Sequence, residues 1–180
     1  RSLVGSEMCI RDRSIEVYFK QDATPDSEKN NVGYLASQYM TSMITSMLNA
    51  RLSELTQSAN PPFTRAYSSY GNFFVAKTKE ALNLSASSKA DGIEKALKVL
   101  LQEAERARRF GFTESEYARA RANYLQRLES AYNEREKTKH GSYVREYVRN
   151  FLDAEPIPGI ETEYAMMNQL APNLPVQAIN

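Results

Sequence analysis

Histidine and cysteine are nearly missing from this chain: of 180 residues one is histidine, His140, and one is cysteine, Cys9. A zinc site draws two or more imidazole or thiolate ligands to one point, and most nucleophilic triads rest on a histidine base held by a carboxylate. These residues alone build neither, so hydrolytic or metal chemistry associated with the chain has to come from sequence outside it. His140 stands in Lys139-His140-Gly141 without the glutamate and second histidine of an HExxH or HxxEH motif, and reads as a solvated histidine at a helix end.

Other absences narrow the field further. No run approaches the roughly 18 apolar residues of a membrane span, and no charged segment followed by an apolar core opens the chain, so it is read as cytosolic or as preceded by its leader. No GxGxxG or GxxxxGKS pattern supports nucleotide binding. Twenty-three basic against 22 acidic side chains leave a net charge of +1, which points to neither nucleic acid nor an anionic membrane.

What is present suits one soluble domain with a real core, since 42% of residues are hydrophobic and 25% charged. Residues 1–13, RSLVGSEMCIRDR, have no helical or strand period and look like translated adaptor sequence, so the domain is taken as 14–180. That exclusion removes the only cysteine. A cysteine-free domain suits an oxidising compartment but also the cytosol.

Ser14 to Lys20 alternates Ile15, Val17 and Phe19 with Glu16, Tyr18 and Lys20, the period of a strand with one buried face, and it begins like a strand whose predecessor is elsewhere. The start signal Thr24-Pro25-Asp26-Ser27 and apolar residues from Leu35 to Leu55 predict a helix over 27–58, stopped by Pro61-Pro62. From Phe63 to Ala90 two or three antiparallel strands are expected, with Gly71-Asn72 as a turn. Asp91 is placed as the cap of a second helix, with Ile93, Leu97, Leu100, Leu101, Ala104 and Ala107 on one face and Gly111 as its C-cap. Thr113 and Glu116 form a capping box for a third helix, carrying Tyr117, Ala120, Tyr124, Leu125, Leu128 and Tyr132 inward. Residues 137–142 interrupt it, and Tyr143, Val144, Tyr147, Val148, Phe151 and Leu152 mark a fourth. A short helix spans about 161–170 and is ended by Pro172, after which 174–180 resemble a helix cut in its first turns.

The stripe of Tyr39, Met40, Met43 and Met47 reads as core packing rather than a ligand groove, and Arg106, Arg108 and Arg109 as a solvated face paired with Glu103 and Glu105. Glu134, Arg135 and Glu136 diverge by about 100° each on a helix and do not converge as metal ligands. The segment from Pro61 to Gly71 carries Arg65, Tyr67 and Tyr70. If these faced a cleft they could bind a peptide carbonyl or a developing oxyanion. The simpler reading is a strand with aromatics on one face and small residues on the other.

Five segments, LNARLSEL, PPF with its aromatic strand, GFTESEYARARANYL, SAYNEREKT and YVREYVRNFLDAEPIPGIETEY, together resemble the insulinase and pitrilysin family of zinc metallopeptidases, particularly its large periplasmic bacterial members. The resemblance covers nearly all of 14–180 and rests on the order and spacing of the segments. It implies an α+β domain, an antiparallel sheet with helices packed on one face as in the mitochondrial processing peptidase-like fold, standing second in the N-terminal half of the enzyme. It further implies that zinc, and the HxxEH motif that holds it, belong to a preceding catalytic domain of the same polypeptide, since no residue here matches that motif. The expected role is non-catalytic, as chamber wall and support, with Arg65, Tyr67 and Tyr70 as candidate contacts to a peptide substrate. No metal site, nucleic-acid contact or membrane span is expected in this chain, and the parent is placed in the periplasm. An inactive scaffolding subunit of the same fold is the first alternative, and an unrelated helical binding module the second.

Overall fold

The alternating segment forms β1 (Asp12–Asp22), longer at both ends than its apolar period and starting two residues before the expected domain boundary. The structure, a computed structural model, describes residues 12–76, 78–89, 91–137 and 140–180, and the side chains of Asp12, His140 and Ser142 fall outside that description. Cys9, and with it residues 1–11 of the adaptor-like segment, lies outside the described residues.

Pro25-Asp26-Ser27 does not start the first helix. It closes a separate 3-10 turn, Asp26–Glu28, and α1 (Val32–Thr56) begins where extended Asn31 accepts the Tyr34 N–H on its side chain at 2.9 Å. Along α1, Tyr39, Met43, Met47, Leu48 and Leu52 are buried in the core, whereas Met40 of the same stripe is half-buried and lines a cleft.

Two strands follow, β2 (Arg65–Asn72) and β3 (Lys79–Lys89). Gly71 and Asn72 are paired residues of β2, opposite Ala81 and Glu80, and the chain reverses after them at Phe73. The turn takes apolar residues because Phe73 and Phe74 pack on Tyr18, with ring centroids 5.4 and 5.9 Å away. The sheet is antiparallel throughout in the order β1-β3-β2.

Helix α2 (Ile93–Phe110) is capped by Gly92 and not by Asp91: a Cβ at Gly92 would stand 2.5 Å from Ser88 Oγ, so glycine allows the close approach of strand and helix. Its buried residues are Ala96 and Leu100, whereas Leu97 and Leu101 turn outward. The expected capping box holds at α3 (Glu114–Asn133). Helix α3 ends at Asn133, earlier than the sequence suggested, and a 3-10 turn (Arg135–Lys137) leads toward α4 (His140–Asp153). Helix α5 (Ile160–Asn173) runs one residue past Pro172, and the last residues form a single 3-10 turn, Val176–Ala178, in place of the expected longer helix.

Helices α1 and α2 lie on the sheet, α3 packs against α1, and α5 against α3. The architecture is therefore α+β, an antiparallel sheet with its helices on one face. The largest fully buried side chains, Tyr39, Tyr117, Met43, Met47, Leu52, Leu84 and Leu100, come from α1, β3, α2 and α3 and form the core between sheet and helices. Helix α4 stands apart, with none of its described side chains buried.

Candidate functional site

Register decides where the three candidate residues go. Across the antiparallel sheet Ile15, Ala86 and Ala66 are aligned, as are Val17, Leu84 and Ser68, and these pack toward the helices. Side chains alternate along a strand, so Tyr70 shares this helix-covered face while Arg65 and Tyr67 project from the other. Arg65 and Tyr70 therefore do not meet in one cleft. The odd and even numbering of the two positions on one strand already carried that separation.

On the open face Tyr67 is 45% exposed and lies across from Ser85 and Glu16. Tyr18, Phe73 and Phe74 continue the aromatic surface, with Lys20 Nζ 5.1 Å from the Phe73 ring centroid. Aromatic rings with arginine and lysine can hold an extended polypeptide by stacking and hydrogen bonding. On the same face the Tyr18 hydroxyl donates to a carboxylate oxygen of Glu16.

Tyr70 lines a cleft of about 870 Å³ between the N-terminal half of α1 and the ends of β1, β2 and β3. Its hydroxyl donates to Glu80 Oε2 at 2.6 Å and accepts from Gln21 Nε2. Burial, and then the hydrogen bond to Glu80, push the Tyr70 hydroxyl well above its usual range, so it is a proton donor at neutral pH. Glu80 is only 8% exposed. Nearby Lys29 donates to Asp26 Oδ1 at 2.9 Å and to Asp153 O at 2.6 Å, and Asn72 Nδ2 donates to Asp153 Oδ1 at 3.1 Å. The cleft is thereby tied to the end of α4, a link between residues 124 apart that no local pattern announces.

Among the described residues no group of three His, Cys, Asp or Glu side chains converges as a metal site. Of the more buried or strongly paired carboxylates, Glu80 is engaged by Tyr70, Glu116 by Arg51, and Glu105 by Arg108 and Arg109. Arg108 first, then Arg109, hold Glu105 down to about 2, which makes this the solvated paired face expected for α2. Arg135 bonds Glu161 at 3.2 Å and lies 4.4 Å from the Tyr132 ring centroid, linking the end of α3 to α5. No described helix is long and apolar enough to cross a membrane.

The sequence showed α4 to be amphipathic but not that its apolar face lies open. Phe151 is 85% and Tyr147 65% exposed, and Val144, Val148 and Leu152 lie beside them. Contiguous apolar patches of this kind are unusual on the surface of a folded domain.

Comparison with known proteins places this geometry. The chain is 39% identical over 69 residues to an Arabidopsis thaliana protein described as "Zinc protease PQQL-like", a match covering 38% of this chain and 7% of that protein. Its fold is similar to the periplasmic protease PqqL from Escherichia coli, with a TM-score of 0.80 at 19% identity, over 94% of this chain and 18% of that one. It is also similar to a predicted insulinase family protease from Yersinia pestis, with a TM-score of 0.77 at 9% identity, over 96% of this chain and 36% of that one. The chain thus spans a small part of the length of these relatives. Residues 6–124, a span that includes β1 and ends midway along α3, match the family model described as "Peptidase M16 inactive domain", and the chain belongs to that family.

Proposed function

We propose that this chain is a non-catalytic domain of a longer zinc-dependent metalloendopeptidase, where it walls the substrate chamber and supports the catalytic domain. The observation that carries this reading is the open apolar face of α4, with Tyr147 and Phe151 largely exposed, on a chain matching 18% of the length of a protease of the same fold. A face of that kind fits burial against the rest of the same polypeptide. Zinc and the water it activates would be held in the catalytic domain, and this chain would supply support and surface.

Peptide substrate would meet the open sheet face at Arg65 and Tyr67, with the Tyr70 cleft as a separate feature behind the sheet. The periplasmic description of the Escherichia coli relative supports a periplasmic parent.

The test is made on the complete polypeptide with a fluorogenic peptide. Arg65→Ala with Tyr67→Ala should raise KM and leave bound zinc at full stoichiometry, while Phe151→Ser with Tyr147→Ser should loosen the α4 contact, read as faster proteolytic nicking there. Unchanged KM in the first variant would remove the substrate role. Stoichiometric zinc and chelator-sensitive cleavage by the purified 180-residue chain would overturn the non-catalytic assignment.

A further inference from the structure

Lys29, directly after the 3-10 turn that precedes α1, is only 7% exposed. A lysine so buried needs partners for its ammonium group. One is Asp26 Oδ1 at 2.9 Å, three residues back, but that carboxylate is itself 74% exposed. The other is Asp153 O at 2.6 Å, on the last residue of α4. The final carbonyls of a helix have no partner within it and form the negative end of its dipole. An ammonium group placed there is a cap delivered from a distant part of the chain. Asn72, at the end of β2, holds the same residue by its carboxylate, Nδ2 donating to Oδ1 at 3.1 Å.

The corner beyond this point is closed on itself. Ala154 has φ 52°, and among the described residues it is the one non-glycine with positive φ. Such a backbone persists only where its surroundings impose it. Here Asn150 Nδ2 donates to Glu155 O at 2.7 Å, and Arg149 Nε pairs with Glu155 Oε2 at 3.0 Å. The rest of α4 is fixed less firmly. None of its described side chains is buried, and at its other end the Tyr143 hydroxyl donates to Arg135 O at 3.4 Å, eight residues back. Packing therefore adds little to the direction of α4, which is set at Asp153.

We propose that Lys29 is a positioning residue: by holding the C-terminal carbonyl of α4, it sets the angle at which the helix offers Tyr147 and Phe151 to the rest of the polypeptide. This rests on the reading that the apolar face of α4 is buried there. Asn72 is the second point of hold. A single hydrogen bond would leave the helix free to pivot, whereas two, drawn from different elements to one residue, fix its rotation as well as its place.

The experiment is limited trypsin digestion of the complete polypeptide, with the cuts located by mass spectrometry. Lys29→Met keeps the buried stem and removes the ammonium group, while Asn72→Ala changes an exposed residue. Cutting after Arg145 and Arg149 should accelerate roughly tenfold in the first and about threefold in the second, with α1 and α3 cut at the native rate. Asp26→Ala leaves the bond to Asp153 in place and should be cut like the native protein. Acceleration in Asp26→Ala equal to that in Lys29→Met, or acceleration spread over the whole domain, would assign Lys29 to general stability and overturn the proposal. If Lys29→Met does not fold, Asn72→Ala decides in the same way. Native-rate cutting in both clamp variants, while Phe151→Ser with Tyr147→Ser still accelerates it, overturns the positioning role and leaves the reading of the α4 face standing. If that serine pair is itself without effect, the reading fails and the positioning role falls with it.

Discussion

Arg51 of α1 grips Glu116 of α3 in a two-pronged ion pair, Nε to Oε1 at 2.6 Å and Nη2 to Oε2 at 2.9 Å. The same guanidinium bonds Gly111 O at 3.0 Å and lies 4.6 Å from the Phe112 ring centroid. Glu116 meanwhile completes the α3 capping box by accepting from Thr113 N–H at 2.8 Å. One carboxylate thus starts a helix and fastens it to another.

This pair predicts a specific acid response. Arg51 first, with Thr113 adding to it, holds Glu116 down to about 2. A carboxylate depressed on folding contributes stability that is complete above its unfolded value, about 4.3, and is lost as pH falls through the folded one. Chemical denaturation between about pH 5 and pH 2 should show the native chain losing on the order of 2 kcal/mol more than Glu116→Gln. Equal slopes would show that the pair does not survive in solution. At neutral pH, Arg51→Ala should cost about 3 kcal/mol, because a half-buried charge loses its partner.

Gly111 sits at φ 62°, and a Cβ there would stand 2.3 Å from Asn180 Cγ. Asn180 in turn brackets Phe112, accepting from its N–H at 2.7 Å and donating to its C=O at 3.1 Å. Gly111→Ala should therefore destabilise the chain by about 2 kcal/mol, read from the denaturation midpoint, through backbone strain together with the loss of this clasp. Asn180→Ala should give a smaller loss, since it leaves the backbone unstrained.

Asn49→Leu keeps the side-chain volume but removes the partner of both Ser68 backbone groups. The expected loss is about 1–3 kcal/mol, and exchange of the Ser68 amide should accelerate selectively over that of Leu84. Uniform acceleration across the sheet would mean that Asn49 acts through global stability alone.

Phe151→Ser with Val148→Ser should leave the thermal midpoint of the isolated chain nearly unchanged, because neither side chain is buried, and should lower its binding of a hydrophobic dye. A drop of several degrees would show that α4 packs on the domain in solution.

Much of the fold was legible because its signals are local. The Thr113–Glu116 box sits three residues apart, the β1 alternation spans seven, and Gly111 follows its helix directly. What escaped depends on partners distant in the chain. Gly71-Asn72 is a good turn pair, yet the strand runs through it because Phe73 and Phe74 find Tyr18. Leu97 and Leu101 fit a helical stripe, but the sheet meets the Ala96 and Leu100 side of α2. Of the candidate site, Arg65 and Tyr67 share the open face, whereas Tyr70 belongs to a cleft whose other wall comes from α1 and from the end of α4.

Asn49 also bears on what could be added to this sheet at β2. Its amide occupies the N–H and C=O of Ser68, the two groups an incoming strand would need at the middle of β2, so pairing there would first have to displace a side chain anchored on α1. A helix thus guards the edge of the strand that follows it.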